Sequence, residues 1–498
     1  MILSSEISDL LNEAEVRFPV DQWDIAGVHA WPLLRIRYGF GMLAKHGYRT
    51  TVKNGNGSRA VDVLGGPARR LVARLQDHTQ NASLSAPAEV VLLSDGISYA
   101  EIGGSWMEKF CDPLITKLEQ RHLRCLLLSP LHSYRVPRYT PSYFVQPELD
   151  RAAIRSFSAS VPSGRLPEID SFAAWAAARG KPGPSADWLR RACARIRHMA
   201  DFFRGVLERG GSTLGVVVNY YSPTGMAFVL ACRECGLPVV DIQHGVSGDL
   251  HFAYGRWARV PARGFNLLPT HFWCWDEADA AAIEAWALAA GHRALVGGNP
   301  WLAYWANNSS SVVRAYEEQI AAIRNRAPKA IHALLTLQFP AQSEQTRDLL
   351  QTVQRACPEI FWWIRLHPSL LAERSRIAMM IGGAEHVEVN AATAIPLPAL
   401  LHHVDVHITY SSSTVLEAAT MGVPSVITST YGAEQYPRQI LDGTAVQVHP
   451  HSLLEAVAAQ ARRKGSWTAA APADGSSAIE ELLHAAGLAA ASELALAR

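Results

Sequence analysis

The sequence predicts an α/β protein with two domains, each a parallel sheet wrapped by helices. Three stretches carry that expectation. Residues 407–426 read H-I-T-Y-S-S-S-T-V-L-E-A-A-T-M-G-V-P-S-V. That is a buried apolar strand, a serine-rich turn, a helix stopped by Gly422 and Pro424, and a further strand. Residues 361–368 read F-W-W-I-R-L-H-P, a strand that closes on polar residues. Residues 294–300, A-L-V-G-G-N-P, restart the strand–helix rhythm in the second half. A chain of 498 residues with 49% hydrophobic composition has material for more than one core.

In chain order, residues 1–50 read as helical, 53–60 and 79–88 as loops, with a short helix from Leu71 between them. Residues 89–93 form an apolar strand ending at Ser94-Asp95-Gly96, 106–121 a helix, and 125–128 the next strand. Residues 150–210 are Ala- and Arg-rich and mostly helical, broken at 181–184. Strands at 214–219 and 239–242 flank a helix at 224–235, and the second strand opens into Gln243-His244-Gly245. Residues 251–272 read as irregular; 272–275 is a strand before a helix at 276–290. The second half supplies strands at 331–337, 361–366, 404–409 and from Val426, with a helix from about 345 to 357. Expected boundaries are 1–285 for the first domain, 286–478 for the second, and a terminal helix at 479–498 whose Ala/Leu stripe needs a partner on the first domain.

Composition removes several function classes. Net charge is +1, against the basic surface that nucleic-acid binding requires. The arginines at 191, 195 and 197 read as the solvated face of a helix. Seven scattered cysteines give no disulfide framework, and the C-x-x-C of Cys232 and Cys235 lacks the second pair a zinc site needs; both read as buried thiols of a reducing cytoplasm. No signal-peptide pattern opens the chain and no run of about 18 apolar residues predicts a membrane span.

Both polar clusters of the second half end strands, where ligands of open α/β sheets sit. Ser411, Ser412, Ser413 and Thr414 bring hydroxyls and N–H groups to a helix start suited to phosphate, with Glu417 one turn in. Serine and threonine are also ordinary helix caps. Arg365, His367 and Pro368 end the other strand, about 45 residues earlier, which is room for one or two further βα units. Together they predict one nucleotide pocket.

The pairing of R-L-H-P (365–368) with Y-S-S-S-T-V-L-E-A (410–418) resembles the GT-B glycosyltransferases that use CMP-activated ulosonic acids. These include the bacterial Kdo transferases of capsule and lipopolysaccharide assembly (Kdo is 3-deoxy-manno-octulosonic acid) and their sialyltransferase relatives. V-V-D-I-Q-H-G (239–245) is similar to a segment of the capsule transferases, V-G-G-N-P (296–300) to the entry of a donor domain, and L-T-L-Q (335–338) to its first strand. The resemblance spans roughly residues 210–450. It implies two Rossmann-like domains facing across a cleft. It also implies a donor pocket from Gln338, Arg365, His367, Pro368, Ser411, Ser412, Ser413, Thr414 and Glu417. It further implies CMP as product, a glycan or lipid-linked glycan acceptor, no catalytic metal and no further cofactor. The chain departs from the sialyl branch in lacking an acidic D-D-G triplet; Ser94-Asp95-Gly96 is a partial echo, which favours the Kdo branch. A cytoplasmic enzyme, with room for peripheral attachment at the inner membrane or to an assembly complex, follows from that resemblance.

The reaction requires a carboxylate near the anomeric carbon, as base or nucleophile. Asp241 is the first candidate because it adjoins Q-H-G, with His244 as a donor beside it. Strand alternation puts Asp241 and Gln243 on one face and His244 on the other, which leaves Asp241 open to a structural role. Asp112 and Asp95 are the reserve acids; Asp112 also suits a helix cap before Pro113. His402, His403, Asp405 and His407 read as strand packing in preference to a metal site. Two other readings stay open: a transferase or epimerase of this fold using UDP-sugar or CDP-glycerol, and a non-catalytic scaffold of polysaccharide assembly.

Overall fold

The computed structural model describes residues 4–45, 84, 86–130, 137–158, 162–306, 311–355, 359–466 and 473–488. The chain divides into two compact units, Met1–Trp301 with Ala473–Arg498, and Leu302–Pro472. The expected loops at 53–60 and 79–83 and the helix from Leu71 lie outside the described residues, as does the end of the expected tail helix.

Among the described residues of the first unit, strands β1 (Asp24–Ile25), β2 (Val28–His29), β3 (Val90–Leu93), β4 (Tyr99–Ile102), β5 (Ser105–Glu108), β6 (Cys125–Ser129), β7 (Ser142–Phe144), β8 (Gly164–Arg165), β9 (Leu214–Val218), β10 (Val239–Ile242), β11 (His271–Cys274) and β12 (Arg293–Val296) form three sheets. The central one runs β12-β11-β10-β9-β3-β6-β7, and every pairing in it is parallel. Its strands are continuous apolar runs such as V-V-L-L and L-G-V-V-V, buried on both faces because helices cover both. From β3 the chain steps outward through β6 and β7, then returns to β9 on the other side of β3. This is the Rossmann order, with its switch point between β3 and β9.

Local chemistry sets the helices that cover this sheet. Ser185 caps the helix Ala186–Gly210 by accepting from the Trp188 N–H, and Gly211 ends it at φ +63°. Leu189, Cys193, Ile196, Met199, Phe203 and Leu207 recur three or four residues apart along it and are all buried. Ser222 caps Pro223–Glu234 in the same way, with Pro223 at the first position. That turn is tight: Asn219 sits at φ +68°, and a Cβ on Gly225 would lie 2.3 Å from the Asn219 carbonyl, so only glycine fits.

In the second unit, β13 (Ile331–Leu337), β14 (Ile360–Leu366), β15 (Val387–Glu388), β16 (Val406–Thr409), β17 (Ser425–Ile427) and β18 (Ala445–Gln447) make a parallel sheet. Its order is β15-β14-β13-β16-β17-β18. The same Rossmann order therefore appears twice, and the second switch point lies between β13 and β16. Ala333, Leu335, Trp362, Ile364, Val406, Ile408 and Val426 form the centre of its core. Two Rossmann-like α/β units are the makeup of a GT-B architecture, as expected from the sequence.

Three elements differ from expectation. Residues 105–108 are a strand and not the start of a helix at 106; Gly103 and Gly104, both at positive φ, turn β4 back into β5, and the helix runs only over Cys111–Glu119. G-G between two short runs is a hairpin signal, overridden in the sequence reading by the helical spacing after it. The unit boundary falls between Trp301 and Leu302, past the expected 285–286, because β12 pairs with β11 as the edge of the first sheet. The terminal helix is Ser476–Ala485, and it does pack on the first unit: Ala478, Ile479, Leu482, Leu483 and Leu488 join the core around β3, β9 and β10.

Candidate functional site

In the second unit, β13, β14 and β16 are adjacent and parallel, so Gln338, His367 and Ser411 leave the sheet at one edge. Gln338 Oε1 accepts the Ser411 N–H at 2.8 Å and the Thr409 hydroxyl at 3.2 Å. Its amide nitrogen has no hydrogen-bond partner among the described residues. The Tyr436 hydroxyl donates to the Ser411 carbonyl at 3.1 Å. The predicted residues on these strand ends are thus brought together.

The serines divide by role. Ser412 N–H donates to Thr409 Oγ1 at 3.0 Å, and Ser412 Oγ accepts the Thr414 N–H at 3.3 Å, so Ser412 holds the first N–H of the helix Thr414–Thr420 from the residue before its N-cap, Ser413. Ser413 is half-buried and its hydroxyl has no partner among the described residues. Thr414 is buried and shares a 3.0 Å contact with Ser412 Oγ. His367 caps the short helix Pro368–Glu373: its Nδ1 accepts the Ser369 N–H at 3.2 Å. Nδ1 being the acceptor, a neutral His367 carries its proton on Nε2 as a donor. Pro368 is exposed and opens that helix.

Arg365 is placed differently from expectation. Its Nη1 donates to the carbonyls of Ala392 (2.7 Å) and Ile395, which ties β14 to the Asn390–Ala394 turn. Burial lowers its pKa to about 10, with the Glu417 carboxylate acting the other way. Arg365 is accordingly a half-buried brace that shares its field with half-buried Glu417. The sequence reading missed the support from β17. Ser429 Oγ donates to the Tyr410 carbonyl at 2.6 Å and accepts the Gly432 N–H at 2.8 Å. A Cβ on Gly432 would stand 2.2 Å from that same carbonyl. The S-T-x-G spacing after a strand was the available signal. Phe339 and Tyr410 meet edge to face at 4.8 Å over these strand ends.

His407 is fully buried between Thr336 Oγ1 and Ser425 Oγ, 3.0 Å from each, and burial drives its pKa down to about 3. His402 and His403 end the helix Leu397–His403, and Asp405 accepts the His332 N–H at 2.8 Å. Among the described residues no group of His, Cys, Asp or Glu is arranged to hold a metal ion.

In the first unit, β3, β9 and β10 are adjacent, and Asp95, Tyr221 and His244 follow their ends. His244 lies stacked on Tyr221 at 5.6 Å between ring centroids, with Nε2 3.2 Å from the Tyr221 hydroxyl and Nδ1 3.4 Å from the Ile242 carbonyl. A carbonyl can only accept, so Nδ1 carries the proton and the Nε2 lone pair meets Tyr221. Burial lowers the His244 pKa, and the nearby Asp95 carboxylate opposes that shift. Asp95 is half-buried; its Oδ1 accepts the N–H groups of Ile97 and Ser98, both at 2.8 Å, and its Oδ2 the Ser98 hydroxyl at 2.7 Å.

Asp241 does not reach this edge. It is 1% exposed, with Oδ1 accepting the Tyr220 N–H at 2.9 Å and Oδ2 the Tyr254 hydroxyl at 2.7 Å. Burial raises its pKa to about 7 against those two donors. It fastens the 251–257 segment to the end of β9 and positions its neighbours; strand alternation, which sets it opposite His244, is the cause. Asp112 is also 1% exposed: Oδ2 accepts the Glu108 N–H at 2.7 Å, and burial raises its pKa to about 7. Its geometry is that of a helix-start brace. Glu108, missed by the sequence reading because it was placed in a helix, is fully buried beneath Asp95 in the same field. Its Oε2 accepts the N–H of Phe110 at 2.8 Å and that of Cys111, and burial, then Asp95, raise its pKa to about 8.

These groups can do two kinds of chemistry. The second unit offers unpartnered donors, Gln338 Nε2 and Ser413 Oγ, beside an imidazole at a Rossmann switch point, which suits a nucleotide. The first unit offers an imidazole lone pair beside a carboxylate, which suits moving a proton.

No protein-family model matches the chain, and neither does any curated protein. Among solved structures, the chain is similar to S. aureus MnaA with UDP (12% identity, 80% of this chain and 97% of that one, TM-score 0.48). It is also similar to the UDP-GlcNAc 2-epimerase of Methanocaldococcus jannaschii (12%, 79% and 99%, TM-score 0.48). A third is the wall teichoic acid polymerase TagF (9%, 89% and 100%, TM-score 0.45). At these scores the sheet orders, and not the likenesses, are the ground for the fold.

Proposed function

We propose that the protein is a glycosyltransferase that takes an ulosonic acid of the Kdo type from its CMP-linked form and passes it to a glycan acceptor of a bacterial surface polysaccharide. The observation that carries this reading is the link from Gln338 to the Ser411 N–H across a switch point, with His367 at the end of the adjoining strand. R-L-H-P and Y-S-S-S-T, the motifs that resemble the CMP-ulosonate enzymes, are the segments that meet there.

In this reading the CMP phosphate takes hydrogen bonds from His367 Nε2–H, the Ser413 hydroxyl and the Gln338 amide. As the bond from the anomeric carbon to the phosphate oxygen breaks, its electron pair leaves with CMP, and these donors stabilise the developing charge. The acceptor hydroxyl forms the new bond to the anomeric carbon and gives up its proton. In the first unit, His244 and Asp95 are the groups suited to taking up a proton, by way of the Tyr221 hydroxyl that already meets His244 Nε2. Asp241 acts through Tyr254 and the backbone of Tyr220, as a positioning residue. Among the described residues no helix is long and apolar enough to cross a membrane.

A thermal-shift panel of CMP, UMP, UDP, CDP and GDP tests the donor class, since a bound ligand raises stability by mass action. A shift with CMP above the others supports the reading. A shift with UDP or CDP alone turns it toward the UDP-sugar or CDP-glycerol alternative.

A further inference from the structure

His251 opens the segment that Asp241 fastens, and nearly every group it has is committed. Its backbone N–H donates to the Gly248 carbonyl at 3.2 Å, and its own carbonyl accepts the N–H groups of Tyr254 at 3.0 Å and Gly255 at 2.8 Å. Its ring Nδ1 accepts the Ala253 N–H at 3.2 Å. The ring packs against Tyr254 at 4.8 Å, Tyr221 at 5.3 Å and Phe40 at 5.6 Å between centroids. Phe40 comes from the helix Ala30–Lys45, so three separate parts of the chain wedge the imidazole in place. Packing and a supporting hydrogen bond of this kind fix a side chain's rotamer.

The remaining group is Nε2. Because Nδ1 accepts, a neutral ring carries its proton on Nε2. Burial, and then His244, push the His251 pKa down to about 3, so the ring stays neutral. The Nε2–H has no hydrogen-bond partner among the described residues, and His251 is half-buried. His292 makes the contrast: its Nε2 is also unpartnered but is sealed in the core. A fixed, uncharged donor with no acceptor of its own therefore stands beside the Tyr221–His244 pair.

The charges around it select the kind of ligand. Asp95 acts on His244 and Tyr221, Asp241 on Tyr221, and Arg35 on His251. Arg35 is fully buried and joined to Glu15 at 2.7 Å. A phosphate brought here would meet the Asp95 carboxylate, with no open cation among these groups to offset it. A sugar hydroxyl carries no charge. It accepts from the imidazole N–H and keeps its own proton to give to the Tyr221 oxygen.

We propose that His251 Nε2–H holds a hydroxyl of the acceptor glycan beside the Tyr221 hydroxyl. The assignment rests on the glycosyl-transfer reading and says how the first unit grips that reading's acceptor: by a neutral donor that admits an uncharged sugar and disfavours a nucleotide.

Asparagine and glutamine divide the two ring nitrogens between them, since the amide of one falls near Nδ1 and that of the other near Nε2. The full chain is titrated with lactose, maltose and chitobiose and followed by saturation-transfer NMR; wild type binds at least one. His251→Asn keeps an acceptor for the Ala253 N–H and loses the outer donor, so the dissociation constant rises at least about fivefold, the scale of one hydrogen bond. His251→Gln keeps the outer donor and stays within about twofold of wild type, while its Tm falls with the loss of the inner contact. If His251→Asn does not fold, His251→Leu, which fills the space and donates nothing, takes its place. The 1-phosphate of the sugar that binds is held more weakly than the sugar itself. No binding in wild type, wild-type affinity in the Asn or Leu variant, an equal loss in the Gln variant, or tighter binding of the 1-phosphate overturns the assignment. The CMP thermal shift on the same samples separates the two ideas: its absence in wild type sinks the donor reading, whereas failure of the sugar titrations alone sinks only the role of His251.

Discussion

Gln338 and Ser411 are joined across the point where the second sheet reverses its strand order, the side-chain oxygen of one accepting the backbone N–H of the other at 2.8 Å. Neither residue is near the other in sequence, and the amide nitrogen of Gln338 has no acceptor among the described residues. Gln338→Leu removes both the acceptor of the Ser411 N–H and the free donor. CMP affinity, measured by calorimetry, should fall at least about tenfold, the scale of one or two lost hydrogen bonds. The protein should remain folded, and affinity equal to wild type would detach this pair from nucleotide binding.

The neighbouring serines should separate experimentally. Ser413→Ala removes a hydroxyl with no partner among the described residues, so CMP binding should weaken while Tm stays put. Ser412→Ala removes the acceptor of the helix's first N–H and should lower stability by about 0.5–1.5 kcal/mol. The reverse pattern in a pair of melting and titration curves would exchange their roles.

His367→Ala removes an imidazole already oriented by Ser369. If it donates to a phosphate, CMP binding should lose on the order of 1.5–3 kcal/mol. A nucleoside lacking phosphate should bind both forms equally, and a shared loss of cytidine affinity would move His367 off the phosphate.

The acids make opposite predictions. Asp95→Asn keeps the shape but removes the charge beside His244, and release of CMP from a CMP-linked ulosonic acid should slow by at least about 10²-fold. Asp241→Asn sets an NH2 group against one of two donors, Tyr220 N–H or Tyr254 O–H, and should first lower Tm. If Asp241→Asn keeps wild-type stability and loses turnover, the catalytic carboxylate is Asp241 after all.

Glu108 gives a pH prediction. Its folded pKa, raised to about 8 by burial and by Asp95, lies above the usual glutamate value. The folded protein therefore holds a proton that the unfolded chain has already released. Stability from this group is full below the ordinary carboxylate range and is lost as pH rises toward about 8. Melting curves from pH 5 to 8 should show Tm falling with pH, and Glu108→Gln should flatten that slope. An unchanged slope in the variant would assign it to other groups.

The sequence by itself determined the alternation of strands and helices, the two-unit division and the strand ends that carry Gln338, His367, Ser411 and His244. Each of these is written locally: apolar runs for two-sided burial, caps and glycines for the stops. It also held the doubt about Asp241, because alternation along a strand needs no tertiary information. Only the tertiary structure decided which hydroxyls are committed. Ser412 and Ser413 are alike in sequence, and the position of Thr409 and the helix start separates them. Burial decided the acids in the same way. Asp95, Glu108, Asp112 and Asp241 carry the same group, but strand packing and the Tyr254 segment enclose three of them and leave Asp95 half-open. Solvation depends on what other parts of the chain pack around a carboxylate, and that is a non-local quantity that no short window of residues contains.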